Sequence, residues 1–192
     1  MTRPGTIIVL NGTSSSGKSS IVEALQNDLE EPYLDAGLDR FLWMLPGRYL
    51  ERPLWDEVLG LAVTAGAAGN QLVRGMHRAI AALSIAGCSI VADHVLVEPA
   101  WRLDLLDQLA ELQAYLVGVQ CPLEILEARE RTRKNRTLGQ AKAQFPIVHL
   151  GMIYDLEVNT AELSVQACSE KIRRHILENP PHAMLDMRRQ LI

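Results

Sequence analysis

The residues Gly12, Thr13, Ser14, Ser15, Ser16, Gly17, Lys18 and Ser19 read G-T-S-S-S-G-K-S, a full match to G-x-x-x-x-G-K-[ST]. The spacing has a physical reason. Two glycines let the backbone turn so that successive N–H groups face inward toward phosphate oxygens. A helix that opens at Lys18 adds the positive potential of its N-terminus. The Lys18 ammonium can then sit between the β- and γ-phosphates, and the Ser19 hydroxyl can ligate Mg²⁺. Gly12 through Ser20 form the expected nucleotide-binding set. The competing reading is a Ser/Gly-rich loop that only caps a helix.

Other residues could complete a site around that loop. Asp93 ends the apolar run CSIVAD, where an acid is placed to hold Mg²⁺ through water. Asp39 follows a short second strand and could accept a proton from an attacking hydroxyl, or it could serve as the N-cap of a helix beginning at Arg40. Arg129, Arg131, Arg133, Lys134 and Arg136 form a basic cluster that could close over a triphosphate. Its alternative is a solvated helix face paired with Glu127 and Glu130. Phe41, Trp43, Met44, Leu45, Tyr49 and Trp55 are concentrated in a chain that is only 5% aromatic, which suggests either core packing or an apolar acceptor pocket. His77, His94 and His149 read as structural or exposed residues.

These groups need a scaffold. Thr6 to Asn11 is a continuous β-branched run, the mark of a strand buried on both faces. From Lys18 the period changes, and Ile21, Val22, Leu25 and Leu29 share one helical face. Further strands are expected at Tyr33 to Ala36, CSIVAD, AYLVGVQC, and Asp155 to Thr160. Helices are expected at about 55–61, 71–86 and 98–112, after Pro122, and over the long segment carrying Val165, Cys168, Ile172 and Ile176, with a short one at the tail. Between them lies an excursion over about 45–70. Strands alternating with helices predict an α/β fold with a central, about five-stranded parallel sheet covered on both faces. Ligands in such sheets bind beyond the carboxyl ends of the strands.

Composition narrows the classes. The chain has 192 residues, 48% hydrophobic and 22% charged, which suits one domain with a full core. A net charge of −4 and no basic stripe argue against a nucleic-acid partner. No apolar run approaches bilayer length, and the opening MTRPGTIIVLNG does not resemble a signal peptide. Cys88, Cys121 and Cys168 are scattered and lack metal spacing, as in a cytoplasmic protein with reduced thiols.

The order LNGTSSSGKSSIV, EPYLDAGLDRF, SIVADHVL, YLVGVQC, ERTRKNRTLG and YDLEVNT resembles the chloramphenicol phosphotransferase family from about Ile7 to Ile176. The resemblance implies a three-layer P-loop kinase fold and one phosphotransferase domain over 1–192, with an Arg-rich lid at about 129–139. It implies ATP-dependent transfer of the γ-phosphoryl group to a hydroxyl of a small, antibiotic-like acceptor, with Asp39 as base and Arg133 and Arg136 as lid arginines. Lys18, Ser19 and Asp93 match the phosphate and Mg²⁺ residues. The sequence departs at His94, where the family often carries a second Asp, and across the 45–70 excursion. A kinase of an endogenous metabolite is the alternative, and a non-catalytic ATP sensor is the third reading. An Asn-Lys-x-Asp segment, which would point to a GTPase, does not occur.

Overall fold

The structure is a computed structural model and describes residues 3–51, 65–132 and 138–190. Five strands form one parallel sheet: β1 Ile7–Asn11, β2 Tyr33–Asp35, β3 Ser89–His94, β4 Ala114–Gln120 and β5 Leu156–Asn159, in the order β2-β3-β1-β4-β5. β1 lies at the centre, with Leu10 beside Asp93 and Asn11 beside both His94 and Gly118.

Alternation along the strands builds the two covered faces. Ile7 and Val9 of β1, Ile90 and Ala92 of β3, and Ala114 and Leu116 of β4 belong to one core cluster. Helices α2 Leu38–Leu42, α3 Ala67–Ile85, α4 Pro99–Leu109 and α8 Ala183–Gln190 contribute most of its other members, with Ala36, Leu96, Val97, Ala110 and Val148 from connecting segments. Ile8, Leu10, Val91, Val117 and Val119 point the other way, onto α1 Lys18–Asp28 and α7 Val165–Glu178. Side chains of period two in the strands meet helical stripes of period 3.6 on each face, giving the expected helix–sheet–helix layering. Helices α5 Leu123–Thr132 and α6 Gln140–Gln144 pack around a smaller cluster of Cys121, Leu126 and Ala141.

Several boundaries differ from the sequence reading. Helix α3 starts at Ala67, not Gln71, although the glycines of TAGAAGN favour a loop. Tertiary contacts override that propensity. Gly69 is buried, and Asn70 donates to Ala65 O and Gly66 O while accepting Trp101 Nε1 at 2.7 Å. Helix α2 begins at Leu38 with Gly37 as its cap, so Asp39 is its second residue and not the N-cap. Strand β3 runs one residue further, to His94. Helix α6 was not expected. The expected helix near Trp55 lies outside the described residues, as do Trp55 itself, Arg133, Lys134 and Arg136. No helix among the described residues is long and apolar enough to cross a membrane.

Two buried polar systems tie the layers together. Asp155 was expected to open the last strand, but β5 begins one residue later. Its fully buried carboxylate accepts Leu116 N at 2.7 Å, His182 N at 2.6 Å and Ala183 N at 2.9 Å, so it joins β4 to the start of α8. The second system is a chain of histidines. Val95 N–H donates to His94 Nδ1 at 2.8 Å, which puts the His94 proton on Nε2. That proton faces His77 Nε2 at 2.9 Å, and His77 Nδ1–H then donates to Asp104 at 2.8 Å. Every partner is satisfied only when both rings are neutral. Burial is the main force holding both pKa values below the usual histidine range, outweighing the pull of Asp104 on His77.

These networks set two expectations. Asp155→Ala leaves three buried N–H donors without an acceptor and should cost about 2–4 kcal/mol in urea denaturation. The second concerns pH. His77 is held low, and burial pushes His149 to about 4, so the unfolded chain binds their protons first as pH falls. Their contribution is unchanged above about pH 7 and is lost as pH falls from about 6.5 toward 4. The Tm should therefore drop between pH 7.5 and 5, and His149→Gln should flatten that slope.

Candidate active site

The phosphate loop joins the carboxyl end of β1 to the first turn of α1. Gly17 takes φ 93°, a left-handed conformation that favours glycine, and caps α1 without a side-chain hydrogen bond. The second left-handed residue is Ser15, at φ 65°, and not Gly12. What Gly12 supplies is room, because a Cβ there would lie 2.6 Å from Val119 O. Ser15 is thus a locally strained residue held by its surroundings.

The loop has the chemistry of an oxyanion cradle. The Ser14, Ser15 and Ser16 hydroxyls are buried and take no hydrogen-bond partner among the described residues. Buried hydroxyls left this way need a partner, and a bound oxyanion would supply one. Lys18 is 7% exposed, and its ammonium donates to Gly12 O at 2.8 Å and Thr13 O at 2.7 Å, which folds it back over the loop. Ser19 and Ser20 are exposed in the first turn of α1.

Carboxylates line the neighbouring wall. Ser19 Oγ donates to Asp93 Oδ2 at 3.0 Å. Burial raises the Asp93 pKa, the nearby Lys18 charge lowers it, and Asp39 and Asp35 raise it further. A cation would relieve that crowding of negative charge. Among the described residues no group of three or more His, Cys, Asp or Glu is placed to hold a metal by itself. A divalent ion at Ser19 and Asp93 would therefore take its remaining ligands from phosphate and water. Asp39 lines the same cleft, of about 190 Å³, with Ser19, Asp93, Asp35, Arg40 and Trp43. Gly37 permits the approach of this wall, since a Cβ at that position would collide with the Asp93 carboxylate.

The aromatic group divides. Phe41, Leu45 and Tyr49 pack against the core, whereas Trp43 is 65% exposed and Met44 69% exposed. Of the basic cluster, Arg129 is committed to the wall of the loop. It donates to Thr160 Oγ1 at 3.0 Å and Thr160 O at 2.9 Å, and the Thr160 hydroxyl donates to Ser16 O at 2.8 Å. Arg131 is exposed near the end of α5.

Four residues at the site escaped the sequence reading. Asn11 donates to Val148 O at 2.9 Å and the Tyr154 hydroxyl at 2.8 Å, and accepts Leu96 N at 2.8 Å. Its signal was available: an amide closing an otherwise apolar strand needs buried partners. Asp35 binds Arg40 Nε at 2.7 Å and accepts Gly37 N, so it shapes the turn before Asp39. Thr160 and Gln144 reach the loop from distant segments, Gln144 by accepting Ser14 N–H at 2.6 Å. Nothing in their local sequence marks them.

Comparison with known proteins gives the family and the fold. A protein of Mycobacterium tuberculosis named "Putative O-phosphotransferase" is 29% identical over 98% of this chain and 90% of its own. A sugar kinase from Janibacter shares the fold at a TM-score of 0.68 and 15% identity, covering 92% of this chain and 97% of that one. The APS kinase of Mycobacterium tuberculosis, solved with AMPPNP and APS, matches at a TM-score of 0.64 and 16% identity, covering 92% and 99%. The chain is thus a phosphotransferase enzyme on a P-loop kinase fold. The family profile of the chloramphenicol phosphotransferase-like proteins matches residues 5–177, taking in every strand and the whole cleft. The chain belongs to the chloramphenicol phosphotransferase-like family.

Proposed function

We propose that the protein transfers the γ-phosphoryl group of ATP to a hydroxyl of a small, largely apolar acceptor of the antibiotic type. The observation that carries this reading is the shared cleft. Asp39 lines it together with Ser19 and Asp93, whose side chains are 3.0 Å apart at the mouth of the phosphate loop. The loop amides and the Ser14–Ser16 hydroxyls hold the triphosphate, with Lys18 near its outer phosphates. Ser19 and Asp93 hold Mg²⁺, which neutralises charge on the phosphates when bound. Asp39 accepts the proton of the acceptor hydroxyl, whose oxygen attacks the γ-phosphorus as ADP leaves. Arg133 and Arg136, outside the described residues, complete the charge stabilisation in this proposal.

The acceptor class is supported by two features. The family description names chloramphenicol. The exposed Trp43 indole beside Asp39 offers an apolar surface that suits a ring better than a polyol. The second reading, a kinase of an endogenous metabolite, is favoured by the fold shared with a sugar kinase and an APS kinase.

Two measurements test the proposal. Asp39→Asn should lower turnover by about 10²-fold or more, with calorimetric Mg-ATP affinity within about twofold of the parent. An unchanged rate would remove Asp39 from its role. A panel of acceptors assayed by ADP release should give its highest kcat/KM with a chloramphenicol-like alcohol. A better sugar or nucleoside substrate would favour the metabolic reading, and no acceptor-dependent ADP from any compound would point to an ATP sensor.

A further inference from the structure

Gln144 is 1% exposed and ends α6, far from the phosphate loop in sequence. Its Oε1 accepts Ser14 N–H at 2.6 Å. The other end of α6 is also anchored. Glu130, 3% exposed, accepts Gly139 N at 2.8 Å and Ala141 N at 3.0 Å. The helix is therefore held at both ends, and the Gln144 carboxamide is delivered to the loop on a fixed support.

The chemistry of that contact orients the group. A backbone N–H can only donate, so the carboxamide must turn its oxygen to Ser14 and its NH₂ away from it. No hydrogen bond joins that NH₂ to a described residue, and it is not among the fully enclosed side-chain atoms that lack a partner. Its two donors, on a side chain fixed to the loop that carries the unpartnered Ser14, Ser15 and Ser16 hydroxyls, suit an anionic partner. The position within the loop suggests which phosphate. The inner phosphates sit over the N-terminus of α1, at Gly17 to Ser20. Ser14 lies further back, beside Gly12 and Thr13, whose carbonyls hold the Lys18 ammonium. That ammonium serves the outer phosphates.

We infer that Gln144 is a ligand of the terminal phosphoryl group: Oε1 stays on Ser14 N–H while Nε2–H donates to a γ-phosphate oxygen. This rests on the phosphotransferase reading above and adds to it a neutral donor from the segment after α5. A neutral donor cannot offset charge as Lys18 does. It fixes the orientation of the group to be transferred.

The test uses the difference between ATP and ADP. Gln144→Glu keeps an acceptor for Ser14 N–H but replaces the donor pair with an anionic oxygen. Calorimetry with Mg-ADP and with a non-hydrolysable Mg-ATP analogue should show ADP affinity within about threefold of the parent and analogue affinity reduced about tenfold or more. Gln144→Ala, the second variant if the first fails to fold, should lower the ATP-to-ADP affinity ratio in the same direction. Equal weakening of both nucleotides, or no change in either, would overturn the assignment and leave Gln144 as loop packing. A parent protein that bound neither nucleotide would overturn the phosphotransferase reading itself, a result distinct from an unchanged ratio in the variants.

Discussion

The Asn11 carboxamide is where the sheet hands over to the site. Asn11 is the last residue of the central strand, fully buried, and one residue before Gly12. Its two ends bind Leu96 N, Val148 O and the Tyr154 hydroxyl, and the Tyr154 hydroxyl donates to His149 Nδ1 at 2.6 Å. Two segments distant in sequence, one at Leu96 and one from Val148 to Tyr154, are thereby fixed around one amide. A buried amide left half-satisfied is costly, so these segments hold one arrangement. Everything downstream in the loop inherits its starting position from that knot.

The strand register then sets the distances across the cleft. Leu10 beside Asp93 and Asn11 beside His94 bring the end of β3 level with the start of the loop. That is why Ser19, the second residue of α1, can reach Asp93. Behind the Asp93 backbone, His94 is locked to His77 and Asp104, which ties the same strand end to α3 and α4. The carboxylate lining the cleft and the histidine facing the core are neighbours in sequence on opposite faces of the sheet. His94 itself is fully buried against His77 and Trp101, so its ring is part of the packing between β3, α3 and α4.

The acceptor side is built differently from the phosphate side. Thr160 and Gln144 bind the loop backbone directly, at Ser16 O and Ser14 N–H, and Arg129 holds Thr160 in place. Around Asp39 the chain offers exposed apolar surface, with Trp43 and Met44 outward and Asp35 and Arg40 paired at the rim. Under the proposed function, the netted loop would hold the nucleotide and the exposed apolar wall would meet the acceptor, so that specificity lies in one half of the cleft.

Much of this was legible in the sequence because it is local. The phosphate loop is made by contiguous backbone, so its residue types and spacing state its geometry directly. The β-branched run before it and the change to a helical period after it depend on neighbours within a few residues. Asp93 and Asp39 could be placed because the first ends a recognisable strand and the second follows one. What only the tertiary structure decided is long-range. Gln144 meets Ser14, Thr160 meets Ser16, and His77 meets His94 through contacts set by register and helix packing. No local pattern encodes such pairings, because a single amide or hydroxyl looks the same in sequence whether it faces water or a phosphate loop.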